Sequence, residues 1–202
     1  MKKRLAIFGG TFSPPHIGHV RAAEAFVEAV KPEKLLILPS AIPPHKAPVL
    51  GAGPDDRLAM CRLAFSHIPV AEVSDMEIRR TGKSYTVLTL SELASPEWEL
   101  TMLVGTDMFL TLDTWYRAEE IFKLTEIAVI RRESDRENEA PILEKSEEYR
   151  RRYGARIRFI PAPATVLSSS EVRERLRAGA NGGNALLPAV EDYVKQWHLY
   201  QE

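Results

Sequence analysis

His16 and His19 stand three residues apart behind a glycine pair, and that spacing suggests phosphate chemistry. The stretch Gly9-Gly10-Thr11-Phe12-Ser13-Pro14-Pro15-His16-Ile17-Gly18-His19 directly follows the short apolar run Leu5 to Phe8. Two glycines at the end of a strand let the backbone turn sharply and come close to a ligand. A helix starting near His16 or Ile17 offers unpaired amides and the positive end of its dipole, which together attract an anion. Residues three apart share one face of the first turn, and Gly18 between them leaves room for a flat group. An isolated histidine at a helix start is usually just a cap. A pair of them over a Gly-Gly-Thr loop reads instead as a phosphate cradle, not an acid/base triad. The loop is no P-loop, because no Gly-Lys-Ser/Thr follows, and it lacks the Gly-x-Gly-x-x-Gly dinucleotide fingerprint.

A second anion cluster is Leu167-Ser168-Ser169-Ser170-Glu171-Val172-Arg173. One serine should cap the helix that follows. The remaining hydroxyls and amides, with Arg173 one turn in, could hold another phosphate group. An ordinary capping box beside a solvated arginine fits the composition equally well. Three further stretches carry polar or aromatic groups suited to a second substrate. Pro43-Pro44-His45-Lys46 presents a lysine stiffly, though alone it reads as a surface residue. Ser84-Tyr85-Thr86 opens a helix whose amides suit a carboxylate. Leu112-Asp113-Thr114-Trp115-Tyr116 follows Gly105-Thr106-Asp107 and offers a Trp able to stack on a flat ring, although a lone Trp is more often a core residue.

The elements that must position these residues alternate between strand and helix. Leu5 to Phe8, Leu35 to Leu38, Leu100 to Val104 and Ile127 to Ile130 read as buried parallel strands. Arg156 to Ile160 reads as an edge strand, and Val70 to Ser74 and Glu77 to Arg79 as short strands. Helices are expected over Ile17 to Val30, from Asp55-Asp56 to about Phe65, and over Ser84 to Leu93, Ser169 to Arg177 and Pro188 to Trp197. Asp107 to Phe122 should be helical in pieces, and Arg131 to Tyr153 is charged and partly helical. Pro39 to Pro54, with five prolines and two glycines, is a long loop of the kind that often forms a functional lid. The expected fold is α/β: a single Rossmann-like doubly wound domain over residues 1–202, with a mainly parallel sheet and helices on both faces.

Bulk properties remove several function classes. A chain of 202 residues with 45% hydrophobic and 27% charged residues is ordinary for a globular protein. The net charge of −1 gives no global field for nucleic acid or membrane. Arg150-Arg151-Arg152, Arg156 and Arg158 lie near Glu144, Glu147 and Glu148, so a solvated charged face is the simpler reading. Cys61 is the only cysteine, which excludes an intrachain disulfide and a cysteine-based zinc site and suits a cytoplasmic location. No apolar stretch is long enough for a membrane span, and Leu5 to Phe8 is too short for a signal peptide core. The number of copies in solution is open, with a homo-oligomer among the options.

The first loop resembles the Gly-Gly-Thr-Phe-Asp-Pro...His-x-Gly-His signature of the nucleotidyltransferase superfamily. Ser169, Ser170 and Arg173 match that superfamily's Ile-Ser-Ser-Thr-x-Ile-Arg motif. Pro-Pro-His-Lys, Asp56-Arg57, Ser84-Tyr85-Thr86, Gly105-x-Asp107, Leu-x-x-Trp and the Leu-Tyr ending extend the likeness to nicotinate-nucleotide adenylyltransferase over nearly the whole chain. Ser13 departs from it, standing where the family commonly has Asp.

The resemblance implies that Gly9, Gly10, Thr11, Phe12, His16, Gly18, His19, Gly105, Asp107, Ser169, Ser170 and Arg173 bind ATP, with the helices from about 169 to 202 completing its site. His16, His19 and Lys46 would act in catalysis. Lys46, Ser84, Tyr85, Thr86, Trp115 and Tyr116 would bind nicotinate mononucleotide, with no protein metal ligands and Mg²⁺ held mainly by the ATP phosphates. Sister enzymes acting on nicotinamide mononucleotide or phosphopantetheine, and a non-catalytic ATP-binding module, are the alternatives.

Overall fold

Runs such as Leu35-Leu36-Ile37-Leu38, all buried, have no polar face to show to water and must lie within a sheet covered on both sides. In the computed structural model, which describes residues 2–43, 51–132, 139–162, 168–180 and 182–201, they do. The strands are β1 (Lys3–Gly10), β2 (Lys34–Pro39), β3 (Ala71–Val73), β4 (Trp98–Gly105), β5 (Thr125–Arg132) and β6 (Ile157–Ala162). The helices are α1 (Ile17–Val30), α2 (Pro54–Phe65), α3 (Met76–Arg79), α4 (Thr86–Leu93), α5 (Thr106–Leu110), α6 (Ala118–Leu124), α7 (Glu139–Tyr153), α8 (Ser169–Arg177) and α9 (Pro188–Gln196).

The six strands form one parallel sheet in the order β3-β2-β1-β4-β5-β6. Leu5 pairs with Leu100, Met102 with Ile127 and Val129 with Phe159. The order runs outward in both directions from β1 and β4, as in doubly wound sheets, whose ligands bind beyond the carboxyl ends of the strands where the order reverses.

The chain divides into two compact units. The first comprises Met1–Phe8, Ala22–Leu35 and Tyr85–Ala164, and its core includes Leu103, Phe109, Ile121, Phe122, Ile127 and Tyr149. Ile142, Ser146 and Tyr149 are spaced to form the inward stripe of α7. At the sheet edge, Arg156 pairs with Glu99 at 3.0 Å and Arg158 with Glu126 at 3.1 Å. These are ion pairs on the charged face expected of this stretch.

The second unit comprises Gly9–Arg21, Leu36–Ser84 and Thr165–Glu202, with a core that includes Phe12, Ile37, Met60, Phe65, Val190 and Tyr200. The Cys61 thiol lies in this core, where burial pushes its pKa up, so it is an inert filler. Helix α2 opens at Pro54, and the Asp56 carboxylate accepts the Gly53 amide at 3.0 Å. Asp56 thus caps the helix from inside its first turn.

Two expectations shift. Glu77 to Arg79 belongs to the short helix α3 and not to a strand, because Arg79 N donates to Asp75 O at 2.9 Å and its guanidinium pairs with the Asp75 carboxylate at 2.7 Å. Helix α4 begins at Thr86, two residues after the expected start. Among the described residues no helix is long and apolar enough to cross a membrane.

Candidate active site

The loop after β1 is built from groups that the chain brings from far apart in sequence. Gly10 must be small, since a Cβ there would meet the Phe12 ring at 3.0 Å, whereas a Cβ on Gly9 would project into open space. Phe12 turns with a positive φ of 48° and is buried. Its ring meets the His19 ring edge-on at 5.0 Å and Phe65 at 5.8 Å. The Phe12 side chain is therefore a floor beneath His19, leaving its backbone as the part able to face a nucleotide. The rings of His16 and His19 lie 3.8 Å apart and 33° from parallel, as the three-residue spacing requires.

One amide of the helix start is already engaged. His16 N donates to Nδ1 of His19 at 3.2 Å. An imidazole that accepts at Nδ1 carries its proton at Nε2 when neutral, so the His19 ring is a donor at its outer nitrogen. That suits contact with a phosphate oxygen.

Four side chains grip this loop, mostly by its carbonyls. Arg57 Nη1 donates to Thr11 O at 2.8 Å, Arg173 Nη1 to Ser13 O at 2.8 Å and the Ser169 hydroxyl to Pro14 O at 3.2 Å. The Ser13 and Tyr200 hydroxyls are 3.0 Å apart. Arg173 Nη2 also donates to the Ser170 hydroxyl at 3.0 Å. The two stretches read as separate anion clusters are thus directly hydrogen bonded. Ser168 is the N-cap of α8: its hydroxyl accepts Glu171 N at 3.2 Å while the Glu171 carboxylate accepts Ser168 N at 2.8 Å. With capping done by Ser168, the Ser169 hydroxyl is left to hold Pro14 O, and the Ser170 hydroxyl, which accepts from Arg173, keeps its own proton for a further acceptor.

The grip of Arg57 and Tyr200 carried no signal from which a role could be read. Arg57 is 4% exposed, and burial lowers its pKa against the pull of Tyr200 and Cys61. Its Nη2 also donates to Ala41 O. Tyr200 is 2% exposed, and burial pushes its phenol up despite the hydrogen bond from Ser13 and the charges of Arg57 and Arg173, so it stays protonated. The Ser40 hydroxyl is likewise buried and has no hydrogen-bond partner among the described residues, while Ser40 N donates to Gly10 O at 3.0 Å.

The aromatic candidates form a cluster within the first unit. The Tyr85 and Tyr116 rings lie 4.7 Å apart, joining the Ser-Tyr-Thr stretch to the Trp115-Tyr116 stretch. Tyr116 is 51% exposed and Trp115 half-buried. Trp115 ends a 3-10 turn over Leu112–Thr114, its amide donating to Leu112 O at 3.2 Å. Asp107 lies exposed in the first turn of α5, and a Cβ on Gly105 would meet its Oδ1 at 2.9 Å. Ser84 behaves differently from the expectation. Its amide donates to Ile42 O at 2.9 Å and its hydroxyl accepts Ala41 N at 3.0 Å, so it ties down the chain after β2 and its amide is not available to a carboxylate. Lys46 and Leu167 lie outside the described residues.

Comparison with known proteins shows the family. Residues 7–175 match the family described as cytidylyltransferase-like. The chain is 34% identical over 199 residues to a protein of Caldicellulosiruptor saccharolyticus named probable nicotinate-nucleotide adenylyltransferase, covering 98% of this chain and 100% of that one. A protein of Desulfatibacillum aliphaticivorans with the same name is 36% identical over 214 residues, covering 98% and 99%. Among solved structures, the nicotinic acid mononucleotide adenylyltransferase of Plasmodium falciparum complexed with NaAD superposes with a TM-score of 0.78 over 98% of this chain and 97% of that one; at 18% identity this is a likeness of fold. The chain therefore belongs to the cytidylyltransferase-like family, in the branch whose members are named nicotinate-nucleotide adenylyltransferase.

Proposed function

We propose that this chain transfers AMP from ATP to nicotinate mononucleotide, giving nicotinate adenine dinucleotide and pyrophosphate. The observation that carries the reading is the pair of hydrogen bonds from Arg173 to Ser13 O and from Ser169 to Pro14 O, which sets the start of α8 against the histidine-bearing loop. Relatives bearing the adenylyltransferase name over the full chain support it.

In this mechanism an oxygen of the mononucleotide's 5′-phosphate attacks the α-phosphorus of ATP. The new P–O bond forms as the bond to the β-phosphate bridging oxygen breaks, and pyrophosphate leaves. A phosphate monoester needs no protein nucleophile, so the chain supplies position and charge neutralisation. The Gly9-Gly10-Thr11 backbone with Gly18 leaves space for the nucleotide, and His16 and His19 donate to the α-phosphate as charge builds there. Ser169, Ser170 and Arg173 hold the leaving pyrophosphate, and Asp107 lines the nucleotide site beyond Gly105. Trp115 stacks on the pyridine ring, the amides at Thr86 and Tyr116 receive its carboxylate, and Lys46 steers the attacking phosphate.

Enzymes of this class use a divalent metal, here taken to be Mg²⁺. Among the described residues no three His, Cys, Asp or Glu side chains gather to hold an ion; the cation would be held mainly by the ATP phosphates and water. When bound, it neutralises charge on the triphosphate.

The test is pyrophosphate release from ATP with nicotinate mononucleotide, nicotinamide mononucleotide or phosphopantetheine. The acid mononucleotide should give the highest kcat/KM. A preference for either other acceptor would reassign the enzyme, and ATP binding without release would make it a regulatory module.

A further inference from the structure

The Trp115 turn is anchored by a group of side chains that the proposed reaction does not use. Helix α5 ends at Leu110, the chain breaks direction at Thr111 (φ −116°, ψ 9°), and the 3-10 turn restarts at Leu112. Such a break leaves carbonyls of the first helix and amides of the next turn in need of partners. The Tyr149 hydroxyl of α7 lies across it: 3.1 Å from Phe109 O, 3.3 Å from Asp113 N and 2.9 Å from Asp113 Oδ1. It accepts from the amide and donates its one proton to one of the two oxygens. Lys145 Nζ, one turn earlier on α7, lies 2.9 Å from Asp113 Oδ2 and 2.9 Å from Glu148.

The anchor is rigid. Tyr149 is fully buried, and its ring packs against Phe109 at 5.3 Å and Phe122 at 4.8 Å. Two residues beyond Asp113, the Trp115 amide donates to Leu112 O, and Trp115 O accepts Ala118 N at 3.1 Å. The turn is thus pinned at Phe109 and Asp113 by one buried phenol and one carboxylate–ammonium pair, and main-chain bonds carry it on to Ala118.

We propose that Asp113, Lys145 and Tyr149 form a positioning tether that fixes the Trp115 plane and so sets the affinity for the mononucleotide ring. This rests on the assignment of Trp115 as the ring platform. A stacking surface is sensitive to small shifts, since a gap of about 0.5–1 Å forfeits a quarter to a half of each dispersion contact. Ion pairs with partly exposed partners add little net stability, whereas their directionality suits holding a turn at one angle. None of the three residues touches substrate, so each acts through Trp115.

The test is steady-state kinetics with both substrates varied, on Tyr149→Phe, Lys145→Met, Lys145→Arg and, as a reference, Trp115→Ala. Tyr149→Phe keeps the buried ring, and thermal melts verify that each variant is folded. Trp115→Ala should raise KM for nicotinate mononucleotide about 10-fold or more, the usual cost of a lost aromatic stack. Tyr149→Phe and Lys145→Met should raise the same KM roughly 3- to 10-fold, which is about 0.7–1.4 kcal/mol. KM for ATP and kcat should stay within about twofold, and Lys145→Arg should recover wild-type KM. If Trp115→Ala raises the mononucleotide KM while Tyr149→Phe and Lys145→Met leave it unchanged, the tether does not position the ring. Equal changes in both KM values and kcat would reduce it to a stability element. An unchanged KM in Trp115→Ala would overturn the platform assignment itself.

Discussion

Around the loop after β1, side chains from positions 57, 169, 173 and 200 reach back to three residues of the segment Thr11–Pro14, and three of these four hydrogen bonds end on backbone carbonyls. Around the Trp115 turn, the partners come from a single helix, and the strongest contacts join one side chain to another. The difference matches the ligand proposed for each region. A phosphate is recognised by main-chain dipoles and imidazoles, so the peptide planes themselves must be fixed, and drawing carbonyls to one side does this. A flat ring is recognised by a side-chain plane, so a short turn held at one angle is enough. Damage to the first region should therefore appear mainly in kcat, and damage to the second in KM for the acceptor.

The largest expected effect comes from removing a donor from the loop. His19→Ala should lower kcat about 10²-fold or more in pyrophosphate release, in line with losing one transition-state donor, with little change in denaturation midpoint. A kcat near wild type would take His19 out of the chemistry. A milder perturbation of the grip on the loop is Tyr200→Phe, which deletes one hydrogen bond of about 1 kcal/mol. It should lower kcat by about 5-fold at most and leave KM for the mononucleotide unchanged. A selective rise in that KM would erase the distinction between the two regions.

The smallest effect is on stability and concerns the Trp115 turn. Burial acts to raise the Asp113 pKa, but hydrogen bonds from Lys145 and Tyr149 outweigh it and leave the carboxyl below its ordinary value. A carboxyl with a depressed folded-state pKa contributes stability that is present above its unfolded value of about 3.9 and is lost as pH falls through the folded one. Thermal melts should therefore show Asp113→Asn less stable than wild type at pH 7, with the gap narrowing below about pH 4. A gap independent of pH would mean that the Asp113 charge plays no part in the tether.

The order of strands and helices was legible because apolar runs such as Leu35–Leu38 and Leu100–Val104 can only be buried parallel strands. His16 and His19 were legible because helical spacing alone places them side by side. The role of Ser168 as cap, releasing Ser169 and Ser170, was half legible: the motif contained the capping box but not which serine would cap. Arg57 and Tyr200 could not be given a role, because an arginine in the first turn of a helix and a tyrosine near the end of the chain acquire meaning only when the fold brings Thr11 and Ser13 to them. Glu77 to Arg79 was misread as strand because so short a segment cannot show a helical period, and the hydrogen bond from Arg79 N to Asp75 O is what marks the helical turn. The tie from Ser84 to Ala41 and Ile42 was not legible for a related reason: those partners lie far away in sequence, just beyond β2.

The central claim is that the His-bearing loop and the start of α8 act on one triphosphate. A double-mutant cycle of His19→Ala and Arg173→Ala, read by calorimetric titration with a non-hydrolysable ATP analogue, tests it most directly. The two losses in binding free energy should be coupled, departing from their sum by more than about 0.5 kcal/mol. A single substitution that leaves the affinity for the analogue unchanged would mean that its residue does not serve the triphosphate, and the assignment of one shared triphosphate would fall.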